Sequence, residues 1–236
     1  MQISALHRWT QDPDEAVCLQ ESLRSRVVLS WDGRPVNSLA GVDVSYSSTL
    51  LWAAIAIFSF PELKALSTYT AEAPLRFPYL PGLLAFRVLP AILTAWESLP
   101  FKPDVLLIHG HGIAHPRGFG LASHLGLWLD LPAIGVARSI LYGHHPDPGP
   151  TVGEWSEVTD EASSSHIIGA ALRTRLKAKP IYVSAGHLID LPQALELVSA
   201  CCGGHRLPER LRLAHRAAAS LAHGGDPGSK LDSVSA

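Results

Sequence analysis

Leu39–Ala71 reads LAGVDVSYSSTLLWAAIAIFSFPELKALSTYTA. Its first third alternates, with Val42, Val44 and Tyr46 on one side of Leu39–Ser47, the period-2 pattern of a strand. Leu51–Phe60 is a continuous apolar run. It is about half the ~20 residues that a membrane-spanning helix needs, so it reads as a buried strand. Leu63–Ala71 follows after a short break, and the three segments predict an antiparallel meander. Beyond it, Pro74–Pro81 is a loop rich in proline and aromatics. Gly82–Leu99 carries Leu83, Leu84, Val88, Ile92, Leu93 and Trp96 at helical spacing. Val105–Ile108 and Ala133–Val136 are short apolar runs of the kind found in buried parallel strands. Between them lie a glycine-rich turn, Gly110–Gly120, and a helix near Leu121–Leu129.

Upstream, residues 12–30 predict a first helix, capped by Asp12, with Pro13 in its first turn and Asp14 and Glu15 complementing its dipole. Downstream, the polar segment His144–Ser165 is expected to be a flexible loop. His166–Arg173 and Ile181–Ser184 read as a second pair of strands. Pro192–Ala200 and Pro208–His223 read as helices, each opened by proline. The expectation is one α/β domain over residues 1–223, a mixed central sheet flanked by helices, followed by a disordered polar tail over 224–236.

Charged residues make up 17% of the chain and apolar residues 47%, which excludes a disordered or fibrous protein. The net charge of −2 supplies no global attraction for nucleic acid, so any such binding needs a local patch. Cys201 and Cys202 are adjacent and Cys18 stands alone, which fits a reduced compartment better than a disulfide framework. No basic segment followed by an apolar one opens the chain. A cytoplasmic monomer with no membrane partner is expected.

Five segments carry a resemblance to a known family. They are Gly41–Tyr46 (GVDVSY), Pro78–Arg87 (PYLPGLLAFR), Gly110–Leu125 (GHGIAHPRGFGLASHL), Ile134–Gly143 (IGVARSILYG) and Val183–Ile189 (VSAGHLI). In order and spacing, over roughly residues 35–220, the chain resembles the endonuclease V family of inosine-directed nucleases. The resemblance implies a ribonuclease-H-like fold, and the predicted order of elements (three antiparallel strands, helix, strand, helix, strand) agrees with it. It also implies cleavage of DNA or RNA near a deaminated purine, with Mg2+ or Mn2+ held by three carboxylates. Of these, the Asp of the GVD strand is matched by Asp43. A Lys of the GVAKS segment and a His or Asp of the SPGH segment complete the family site, matched by Arg138 and His187. By the same resemblance Tyr79, rigidly presented within Pro78-Tyr79-Leu80-Pro81-Gly82, wedges into a single- or double-stranded partner, and nearby backbone groups hold the flipped base. Gly110, Gly112, His115 and Arg117 are expected to belong to this nucleic-acid surface.

The chain departs from the family at its chemistry. Where the family has Glu after Phe-Arg, this chain has Val88, and where it has Asp before the glycine turn, this chain has His109. Mg2+ takes oxygen ligands in near-octahedral geometry, so losing two anionic oxygens predicts weak Mg2+-dependent cleavage. Glu97 lies nine residues beyond Val88, about 13 Å along a helix, and replaces neither acid. Three outcomes stay open. The metal site has decayed and His109 fills space. Alternatively Asp43, His109 and His187 hold Zn2+, Fe2+ or Mn2+ as one carboxylate and two imidazoles, with His111 as a further nitrogen, in a repurposed enzyme acting on a small molecule or nucleotide. Or residual nuclease activity survives with Mn2+. Arg138 keeps a charge that suits phosphate but cannot move a proton near neutral pH. Arg76, Arg87 and Arg117 are the expected basic patch, and His124 is expected to be a hydrogen-bonded core residue. The chain has 12 histidines, and His144, His145, His205, His215 and His223 need no special role on sequence grounds.

Overall fold

The computed structural model describes residues 3–224. The meander is β1 (Ser38–Tyr46), β2 (Leu50–Ser59) and β3 (Ala65–Pro74), paired antiparallel. β4 (Val105–His109) lies parallel to β1, and β5 (Ala133–Ala137) parallel to β4. β6 (Trp155–Thr159), β7 (Ile167–Leu172) and β8 (Ile181–His187) complete one sheet in the order β3-β2-β1-β4-β5-β8-β7-β6. β8 runs antiparallel to β5. The helices are α1 (Pro13–Arg24), α2 (Leu84–Glu97), α3 (Leu121–Leu129), α4 (Leu191–Ala200) and α5 (Glu209–Ala222).

Strand periodicity sorts the side chains between two cores. Ala40, Val42, Leu106 and Ile108 pack with Leu89, Ile92, Trp96 and Leu125 of α2 and α3. Leu39, Val105 and Leu107 face the other way, onto Val198 of α4 and Leu211 of α5. Asp43 and His109 share the parity of this second set, so their side chains emerge on the α5 side. α5 itself lies close to the sheet because its inner face is small. Ala214, Ala217 and Ala218 meet Ala54 and Ala56. Gly41 completes the fit. A Cβ there would stand 2.6 Å from the Arg210 carbonyl oxygen, so only glycine lets α5 pass this near to Asp43.

Several boundaries differ from the expectation. The first helix ends at Arg24, not at residue 30. Val28 and Leu29 are exposed and no apolar stripe extends past Leu23. The expected loop His144–Ser165 contains β6, an edge strand. Only Val158 of β6 is buried, and exposure of its other positions gives the segment its polar composition. β3 starts two residues later than expected, and β8 continues to His187 rather than ending at Ser184. The expected tail, 224–236, lies outside the described residues apart from Gly224. Among the described residues no helix is long and apolar enough to cross a membrane.

Candidate active site

Asp43 is the hub of the site. It sits mid-strand on β1 and is buried, and its Oδ2 accepts hydrogen bonds from His109 Nδ1 at 2.9 Å and His215 Nδ1 at 2.8 Å. Its Oδ1 accepts from the Val44 N–H at 2.7 Å. Burial alone would raise the pKa of this carboxyl, but the hydrogen bonds from the two histidines outweigh it and hold Asp43 below the usual range. The same bond raises the pKa of His215 against the opposing effect of its partial burial. An ionised carboxylate only accepts, so both rings present Nδ1–H to it. Donor atoms of Asp43, His109 and His215 all lie within 4.8 Å of one another. This is one anionic oxygen and two imidazoles, arranged so that a divalent ion would take the place of the two shared protons.

A cleft of ≈480 Å3 opens beside this centre, with Asp43 and His109 in its wall. Among the described residues lining it, Asp43 is the single carboxylate. Val88 lines it from α2, on the opposite face of the sheet from His215. Tyr79, Leu80, Pro81 and Gly82 form one rim, and Gly110 and Arg138 also contribute. Tyr79 is 61% exposed, so its ring is available to stack. The loop that carries it is pinned by one carbonyl. Gly82 O accepts from Gln20 Nε2 at 3.0 Å, His115 Nε2 at 2.8 Å and Arg117 Nη2 at 2.9 Å. Arg117 Nε in turn donates to Gln20 Oε1 at 2.6 Å. His115 Nδ1 accepts from the Arg117 N–H, which fixes the neutral Nε2–H tautomer. Burial accordingly pushes the His115 pKa down to about 4.

The structure gathers most of the expected site residues but not all. His187 lies elsewhere. Val42 pairs with Ile108, His109 with Val136, and Val136 with Val183. His187 lies further along β8, opposite Ala133 and so three residues of β5, about 10 Å, below the level of Asp43. There it accepts the Val28 N–H at 3.3 Å and stands 3.8 Å from Asp130. Its place beside Asp43 and His109 is taken by His215 of α5. His111 turns Nε2 to the Ser139 carbonyl at 3.0 Å and does not join the group. Gly112 is absent from the cleft wall. Its N–H donates to Ser184 Oγ, and a Cβ there would stand 2.0 Å from the Ala185 carbonyl, so it serves the packing of the turn on β8. Pro78 is exposed next to Tyr79 and is not part of the wall. Arg87 does not form an exposed patch. It is buried, donates to the Phe77 carbonyl at 2.7 Å and lies over the Tyr46 ring. His124 is a core residue as expected, fully buried with its Nε2 2.7 Å from His7 Nε2.

Comparison with known proteins places the same residues in a family context. The family model described as Endonuclease V matches residues 21–216. The Endonuclease V of Trichormus variabilis is 45% identical over 223 residues, covering 93% of this chain and all of the relative. That of Methanothrix thermoacetophila is also 45% identical, over 91% of this chain and 94% of the relative. Among solved structures, Endonuclease V from Streptomyces avermitilis superposes with a TM-score of 0.85 at 37% identity, covering 92% of this chain and 95% of that one. Ciona intestinalis Endonuclease V, in complex with a 23mer DNA containing an inosine followed by a ribo-adenosine, superposes with a TM-score of 0.80 at 28% identity, covering 89% of this chain and 97% of that one.

Proposed function

The chain belongs to the endonuclease V family and has its ribonuclease-H-like fold, and on that premise we propose that it binds nucleic acid containing inosine or another deaminated purine while cutting it weakly or not at all with Mg2+. The observation that carries this reading is that Asp43, already shared between two imidazoles, is the single carboxylate among the described residues lining the cleft.

The family works with a divalent metal, and the donor set here selects among metals. Two imidazoles and one carboxylate suit Mn2+, Fe2+ or Zn2+ and fit Mg2+ poorly. Asp43, His109 and His215 would hold the ion, which when bound supplies charge stabilisation at a phosphate and an acidified water. The remaining roles fall to the chain itself. Tyr79 offers a face on which bases stack. The triple clamp on Gly82 holds the Tyr79 loop in one position against the turn at His115–Arg117. Arg138 presents a guanidinium to phosphate oxygens. The same donor set favours a second reading, a transition-metal centre acting on a nucleotide or other small molecule.

Fluorescence anisotropy of matched single strands carrying inosine, guanine or adenine at one position tests the first reading. Preference for inosine by about tenfold, roughly 1.4 kcal/mol, is expected without any metal. Equal affinity for all three strands would contradict it.

A further inference from the structure

A second cavity, of ≈200 Å3, adjoins the cleft and is lined by Arg138, His205, Arg206, Leu207 and Arg212. Arg138 belongs to the walls of both. Three of its five lining residues are arginines, and their charges are unequally compensated. Arg206 is anchored by carbonyls alone: Nε donates to Lys179 O at 2.9 Å, and Nη2 to Pro180 O at 2.8 Å and to Arg138 O. Carbonyl anchoring fixes the guanidinium and leaves its positive charge in place. Arg138 lies near enough to repel the protonated form of Arg206, although burial is the larger influence on that group. Among the described residues, Glu209 is the acid whose ion pairs reach this pocket. Glu209 pairs with Arg212 and, at 3.1 Å, with Arg216, and lies 3.7 Å from His205. One carboxylate cannot balance Arg138, Arg206, Arg212 and Arg216 together. Arg212 and His215 are three residues apart on α5 and therefore on the same side of that helix. The pocket is thus held at a fixed offset from the Asp43–His109–His215 centre.

We propose that this pocket is a phosphate subsite. It takes a backbone phosphodiester of the same strand whose base enters the cleft, with Arg206 and Arg212 as its donors and Arg138 as the bridge to the reaction centre. The proposal rests on the nucleic-acid reading above. Its role is binding, and the contact is indifferent to base identity.

Salt dependence reads such a contact directly, because each neutralised phosphate releases counterions. Anisotropy with an inosine-containing single strand, and with the same strand lacking inosine, is measured across a salt series for the wild type, Arg206→Gln and Arg212→Gln. Each variant is expected to flatten the slope of log affinity against log salt by about 0.7, the increment for one phosphate on a single strand, and to weaken both strands alike. Unchanged slopes for both variants would overturn the proposal. Should Arg206→Gln lose its carbonyl anchors and unfold, as a melting curve would reveal, Arg212→Gln alone decides. A wild type without inosine preference would sink the reading of the cleft, yet the slopes would still judge the pocket. Strands trimmed back to the inosine separate the possible sources of phosphate. Trimming is expected to abolish the difference between wild type and variants. A difference that survives trimming and is competed away by inorganic phosphate would mean that the pocket takes a free phosphate group instead, which would overturn the strand assignment.

Discussion

The double substitution Val88→Glu with His109→Asp is expected to produce Mg2+-dependent nicking of inosine-containing DNA, at least about 100-fold above the wild type, the scale of one preorganised electrostatic contact to a transition state. The reason lies in the donor set. Val88 and His109 both line the cleft with Asp43, so the two substitutions return two anionic oxygens to a wall that now holds one. Mg2+ demands hard oxygen ligands, and its service to phosphodiester cleavage is charge neutralisation and water activation. A second readout is independent of turnover. Val88 is 2% exposed and packs in the core between α2 and the sheet. A glutamate there is a buried charge without a partner, costing about 3–5 kcal/mol in metal-free protein. Mg2+ should therefore raise the melting temperature of the double variant and leave that of the wild type unchanged. Absence of both nicking and Mg2+-dependent stabilisation would show that more than two missing ligands blocks the family chemistry.

His215→Ala is expected to weaken Mn2+ or Zn2+ binding by more than about 100-fold, beyond the range seen for losing an outer partner of a metal ligand. His187→Gln should leave that affinity unchanged. Isothermal titration of metal into both variants separates two geometries. His215 Nδ1 lies 2.8 Å from Asp43 Oδ2, whereas His187 is turned to Asp130 and Val28 at the other end of β5 and β8. Loss of affinity in His187→Gln with retention in His215→Ala would reverse the assignment.

These two histidines also mark how far the sequence could be read. Local motifs were legible because their chemistry travels with their neighbours. Tyr79 to Gly82, His109, Gly110 and Arg138 are each embedded in a recognisable segment, and all of them line one cleft. The meander and the succession of strands and helices after it along the chain were legible from period-2 patterning and continuous apolar runs, whereas the order of the strands within the sheet was set by tertiary pairing. His215 was illegible because it lies 172 residues from Asp43 on a helix with no motif of its own. A trace of it was present. The small residues Ala214, Ala217 and Ala218 on one face of α5 imply close approach to a strand, and Gly41 two residues before Asp43 is where such a helix fits. His187 sits in a segment that matches a motif, while the direction of β8, which decides which end of the sheet it reaches, depends on tertiary pairing. β6 has no legible signature in the sequence for a similar reason. An edge strand with one buried position has the composition of a loop.

The loss of Mg2+-dependent cleavage is tested most directly by assaying the wild-type protein in Mg2+ for nicking of an inosine-containing strand, with Asp43→Ala as baseline and the Trichormus variabilis relative as positive control. No product above baseline is expected over the time in which the relative converts the strand, while wild-type protein still prefers inosine in binding. Mg2+-dependent product at a rate approaching that of the relative would overturn the expected loss of cleavage, because a cleft whose described lining holds Asp43 as its single carboxylate would then suffice for the chemistry.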